Sequence, residues 1–138
     1  MSEARIAART LLRKASEDLY AAACLGDNPL VSPWTVGFHA QQAVEKSLKA
    51  AFAHRAIRYP FIHDIEALVV IVKNESLPLP RDSEELSCLT PFAALFRYED
   101  EDWGAPVSIS VERMLGLAET TVAWARAMLD EGSASSGV

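Results

Sequence analysis

The chain is poor in the residues that build the most recognisable sites. It has two cysteines, Cys24 and Cys88, and six scattered glycines in 138 residues. Two distant cysteines supply neither a disulfide scaffold nor the ligands of a structural zinc site. No spaced glycine pair precedes a helix, which excludes the loops that cradle the phosphates of nucleoside triphosphates and dinucleotides. CxxC and HExxH are absent, and no serine sits in a nucleophile-elbow context. Apolar runs are cut by Arg, Glu or Pro before the roughly 18 residues a membrane span requires. The start, Met1-Ser2-Glu3-Ala4-Arg5, has no apolar core of a secretory signal. These absences lead to the expectation of a cytoplasmic protein with no membrane association, metal or cofactor.

What is present is half hydrophobic and 23% charged, enough apolar residue to bury one core in a chain of single-domain length. We expect one domain over 1–131 and a flexible Gly/Ser-rich tail over 132–138. The net charge of −6 is unevenly spread: residues 1–63 sum to +3 and residues 64–138 to −9. An acidic whole argues against a general nucleic-acid coat, yet the basic first half allows a local cationic surface or head-to-tail pairing. Acidity for solubility alone is the competing reading.

The periodicity is helical throughout. Ala8, Leu12, Ala15, Leu19 and Ala22 alternate spacings of four and three, the seam of an amphipathic helix over about 2–25. Arg5, Arg9 and Arg13 recur every four residues on another face. Gly26-Asp27-Asn28-Pro29 supplies the stop. Ser32-Pro33 is a cap and first-turn signature opening a second helix to about Arg55. Residues 57–62 read as a loop, and His63-Asp64 opens a shorter third helix. There the run Val69-Val70-Ile71-Val72 also has strand character. Residues 82–96 read as helix interrupted at Thr90-Pro91. The last helix should run from near Ser108 to Glu131-Gly132, with Val111, Leu115, Ala118, Val122, Ala125 and Leu129 inward. The expected fold is all-α, an up-and-down bundle of four long helices plus a short fifth.

Four groups of residues carry chemistry. On the second helix His39, Gln42, Lys46 and Lys49 share one polar face, suited to a phosphate or a base; a solvated face with a Glu45–Lys49 pair is the plain alternative. Gln41 and Glu45 fall on the apolar side, where a carboxylate must meet an Arg, a Lys or a partner chain unless it turns to solvent. The stretch His54-Arg55-Ala56-Ile57-Arg58-Tyr59-Pro60-Phe61-Ile62-His63-Asp64 gathers imidazoles and guanidiniums, the groups that can cleave RNA as acid, base and phosphorane stabiliser. Its structural alternative is helix capping. The run Glu99-Asp100-Glu101-Asp102, between Arg97-Tyr98 and Trp103, reads as a solvated loop in preference to a metal site.

The stretch Phe38-His39-Ala40-Gln41-Gln42-Ala43-Val44-Glu45-Lys46-Ser47-Leu48-Lys49-Ala50 resembles the HEPN family, the higher-eukaryote and prokaryote nucleotide-binding domains. Arg58-Tyr59-Pro60, His63-Asp64-Ile65-Glu66-Ala67-Leu68 and Arg97-Tyr98 continue the resemblance over roughly 5–130. It implies a helical bundle, commonly a homodimer, of the branch that partners a minimal nucleotidyltransferase, often as toxin and antitoxin. It also implies nucleotide or RNA binding, for which His39, Gln42, Lys46, Lys49, His63 and Arg97 are the candidates. Ribonucleases of the family carry Arg-x4–6-His near the last helices. Arg58-x4-His63 satisfies the spacing but lies after the second helix, and no histidine follows His63. The expectation is therefore a non-catalytic binding module. The rivals are a metal-independent ribonuclease using Arg58 and His63, and a bundle that serves protein contacts alone.

Overall fold

A computed structural model describes residues 2–93 and 109–136, with side chains to 131. Among the described residues the structure is helical and contains no strand. Three long helices form its frame: α1 (Glu3–Gly26), α2 (Pro33–His54) and α4 (Val111–Ser136). Between the last two lie a ten-residue helix, α3 (Ile65–Asn74), and a 3₁₀ helix (Ser83–Ala93).

The starts obey capping chemistry. The Ser2 hydroxyl accepts from Arg5 N, and the Ser32 hydroxyl accepts from Trp34 N with Pro33 in the first turn. Asp64, not His63, caps α3, accepting from Glu66 N and Ala67 N. The ends are less conventional. α2 and α3 stop at Ala56 and Ser76, whose φ values are 55° and 57°. Each turn is closed by a paired set of bonds, such as Ile57 N to Phe52 O and Ala56 N to Ala53 O. This is the left-handed stop that glycine normally provides, built here without one.

Packing follows the seams. Ala8, Ala15 and Ala22 of α1 are fully buried against α2, which supplies Val36, Ala40, Val44, Leu48 and Phe52. A Cβ on Gly26 would lie 3.2 Å from Val111 and Leu115 and 3.9 Å from Val36. The end of α1 therefore meets the beginnings of both α2 and α4. Ala8 clusters with Met128 and Leu129 at the opposite end. α2 and α4 thus run the same way, antiparallel to α1, and α3 with the 3₁₀ helix carries the chain back between them.

Two segments differ in detail from the sequence expectation. Among the described residues three helices are long, and residues 83–93, expected as an interrupted helix, are 3₁₀ and continue through Pro91. Gly37 explains how that segment docks: a Cβ there would lie 2.5 Å from the Phe92 ring, so α2 is bare where the 3₁₀ helix rests on it. Phe92 also tilts against Trp34, with ring centroids 4.6 Å apart. The last helix begins at Val111 and passes its expected stop at Gly132 by a turn. Residues 69–72 are helical, with Val69 and Val72 inward. No helix of the described residues is long and apolar enough to cross a membrane.

Candidate functional site

α2 presents two carboxylate-centred clusters. The first answers the question posed by Gln41 and Glu45: both are in the core, 0% and 4% exposed. One turn separates each member of the series Gln41, Glu45, Lys49, so helical spacing stacks them. Gln41 Nε2 donates to Glu45 Oε1 at 2.8 Å, and Lys49 Nζ donates to Glu45 Oε2 at 2.9 Å. Lys49 is only 9% exposed. It donates again to Ile62 O at 3.1 Å and stands 5.8 Å from the centre of the Tyr59 ring. Gln42 Nε2 donates to Gln41 Oε1 at 2.7 Å, which closes the amide side.

The loop delivers the last member. His63 Nδ1 lies 2.9 Å from Glu45 Oε1 and 3.2 Å from Oε2. Burial by itself would raise the Glu45 carboxyl, but hydrogen bonds from Lys49, Gln41 and His63 outweigh it and hold it below the ordinary 4.5. Glu45 is therefore an anion at neutral pH, and an ionised carboxylate only accepts. Nδ1 must carry the hydrogen. The His63 side chain is 70% exposed, and Nε2 makes no bond within the described residues. The result is an imidazole of fixed tautomer and orientation whose other nitrogen faces solvent. Such a nitrogen can accept a proton or, once protonated, donate to a phosphate.

The second cluster lies on the side of α2 that faces α1. Asp18 Oδ1 is 3.1 Å from His39 Nδ1, and Asp18 Oδ2 accepts from Lys46 Nζ. The four residues expected to share one ligand-facing stripe are thus divided. His39 and Lys46 are spent on Asp18, Lys49 is inside on Glu45, and Gln42 is half-buried between. Arg58 is exposed, five residues before His63, and forms no ion pair with a described carboxylate. Arg97 and the acidic run 99–102 lie outside the described residues.

Sequence reasoning missed Asp18 and gave Tyr59 no role. Asp18 offered a signal, since it sits beside Leu19 and one turn from Ala15 and Ala22, at the edge of a buried seam. Nothing short of a fold pairs it with His39. Among the described residues no group of three or more His, Cys, Asp or Glu is placed to hold a metal ion.

A helical domain with a carboxylate-oriented surface histidine is a class defined by geometry alone. The HEPN domain family matches residues 8–128, and the chain belongs to that family. Membership associates it with nucleotide- or RNA-related function. No curated protein and no solved structure matches the chain.

Proposed function

We propose that this HEPN domain binds a phosphate group of a nucleotide or RNA at His63, without cleaving it. The observation that carries the reading is the Glu45–His63 contact. A buried anion fixes the ring, Lys49 and Gln41 fix the anion, and Nε2 is left to solvent. Arg58, exposed on the same loop, supplies a fork-shaped donor suited to phosphate oxygens. Gln42 borders the cluster and completes the polar rim. His39 and Lys46 contribute through Asp18 to the α1–α2 joint instead.

Binding is favoured over cleavage because acid–base cleavage of RNA uses two proton-transfer groups. One subunit offers a single solvent-facing oriented imidazole; His39 is held by Asp18 and His54 lies at the end of α2. The family resemblance extends the reading to a homodimer that partners a minimal nucleotidyltransferase as a toxin–antitoxin pair. A second reading has its own support in the fixed His63 tautomer: a metal-independent ribonuclease in which each copy of the dimer contributes one His63.

Fluorescence anisotropy with a labelled single-stranded RNA in EDTA tests both. His63→Ala and Arg58→Ala should each weaken binding about tenfold, a loss of roughly 1.4 kcal/mol, while the RNA stays intact. His39→Ala should bind as the unaltered protein does. Equal affinity for His63→Ala would overturn the site. RNA cut by the unaltered protein and spared by His63→Ala would establish the ribonuclease.

A further inference from the structure

The described cations of this chain fall into two populations. Arg13, Lys46, Lys49 and Arg113 are each paired with a carboxylate. Arg5, Arg9, Arg55 and Arg58, like Lys14, Lys73, Arg81 and Arg126, are exposed and form no ion pair among the described residues. Part of this second set gathers at one end of the bundle. Arg5 and Arg9, one turn apart on α1, line an open depression with His54 of α2 and Leu129 of α4. Arg55 follows His54 directly, and Arg58 starts the loop that leads to His63.

Like charges one turn apart on a helix repel by a few tenths of a kcal/mol. The cluster gathers still more charge at the end of α2. Its closeness registers on His54, whose imidazole is pushed below the ordinary 6.5 by burial first, then by Arg55 and Arg5. Asp130 and Glu131 adjoin Leu129, yet neither forms an ion pair with these guanidiniums. The surface accepts the repulsion where a neighbouring acid could have relieved it. A bound anion would supply that relief, and forked guanidiniums favour phosphate oxygens. From Glu45 to His54 is nine residues, roughly 14 Å along the axis and half a turn around it. Arg55 and Arg58 lie between His54 and His63 in the sequence.

We propose that Arg5, Arg9 and Arg55, around the depression at His54, form a second contact for the sugar-phosphate backbone of an RNA strand whose terminal or internal phosphate is held at His63. The contact is electrostatic, reads no base, and rests on the RNA reading of the His63 site. It makes the ligand a strand and not a mononucleotide alone.

The test compares the unaltered protein, the double variant Arg5→Ala/Arg9→Ala and His63→Ala, binding a single-stranded RNA 20-mer and AMP over a range of salt. Both arginines are exposed and alanine is the best helix former, so circular dichroism should show an unchanged fold. The double variant should bind the 20-mer about tenfold more weakly at low salt, with the slope of log K against log salt reduced by about 1–2. Its AMP affinity should be unchanged. As a second readout, inorganic phosphate should raise the His54 titration midpoint in NMR, and should do so less in the double variant. Unchanged RNA affinity and slope in the double variant, with His63→Ala impaired, would overturn the proposal and leave the His63 site standing. The reverse pattern would support this contact and remove the His63 reading. No RNA binding by the unaltered protein would overturn both.

Discussion

Asp18 and Glu45 hold the same pair of partners, one imidazole and one lysine amine, and yet they do different work. Asp18 reaches from α1 to His39 and Lys46 on α2, so its bonds tie two helices. Glu45 takes its lysine from its own helix and its imidazole from the loop before α3. The exposures diverge as well. His39 is 29% exposed in its side chain, His63 is 70%. A carboxylate that grips a half-covered ring between helices is a strut. One that is buried, and grips a ring standing in solvent, aims that ring outward. Composition alone cannot separate the two; the difference lies in which element brings each partner.

Removing the charge from each centre should separate them most widely. In Glu45→Gln the Lys49 ammonium stays 9% exposed with no counter-charge. Breaking a buried pair from one side costs about 3–5 kcal/mol. Asp18→Asn strips a pair of side chains that are 15% and 26% exposed, and partial solvation should limit that loss to about 1 kcal/mol. Urea unfolding at pH 7 measures both. Equal losses would mean that the two clusters are the same kind of strut.

Gly37→Ala attacks one centre from a distance. The new methyl would meet the Phe92 ring, and overpacking of this kind costs about 1–3 kcal/mol, more than the propensity gained by replacing glycine in a helix. The 3₁₀ helix must shift. Thr90 Oγ1 on it accepts from Ile65 N, so the displacement should reach the start of α3 and His63. NMR shifts should move at His63 and stay at His54, at the far end of α2. Gly116→Ala is the control, since among the described residues nothing lies within 4 Å of its Cβ. It should stabilise by up to about 1 kcal/mol.

Acid offers a graded version of the Glu45 substitution. The Glu45 carboxyl is held below 4.5 by the hydrogen bonds it accepts from Lys49, Gln41 and His63, against the upward push of burial. A carboxyl lowered in the folded state stabilises fully above its unfolded value. That contribution is lost as pH falls from about 4.5 through the folded value. The stability gap between the unaltered protein and Glu45→Gln should therefore be flat near neutrality and close progressively below pH 4.5. A gap that did not change with pH would show that packing of the longer-range cluster, not the charge, set the cost.

The legible parts of this molecule were those written in local periodicity. The seams of α1, α2 and α4, the Ser32-Pro33 start and the Asp64 cap depend on residues within two turns of each other, and spacing reveals such things. That Gln41 and Glu45 fall on the apolar side was legible for the same reason, but whether the carboxylate paired inside or turned to solvent was not. The stops of α2 and α3 were legible in position but not in form, because left-handed Ala56 and Ser76 lack the glycine that marks such turns. Nor was the 3₁₀ segment, whose form depends on the bare surface at Gly37, far away in sequence. The polar stripe is divided for a related reason: a helical wheel puts His39, Lys46 and Lys49 together but cannot show that Asp18 waits on α1. Long-range partners decide which polar groups remain free to bind.

The smallest effect is also the most discriminating. His63→Ala removes a ring that is 70% exposed, and Glu45 keeps Lys49 and Gln41 as donors. Stability should change by no more than about 0.5 kcal/mol, as for most surface substitutions. His39→Ala removes a part-buried ring bridging two helices, also edge-on to Phe38 at 5.3 Å, and should cost about 1 kcal/mol. RNA affinity should rank them the other way, falling for His63→Ala alone. The inversion matters more than either number. A residue that costs little to fold and much to bind was positioned for a ligand, whereas a His63 as costly to stability as His39 would be a strut whose exposed nitrogen carries no function.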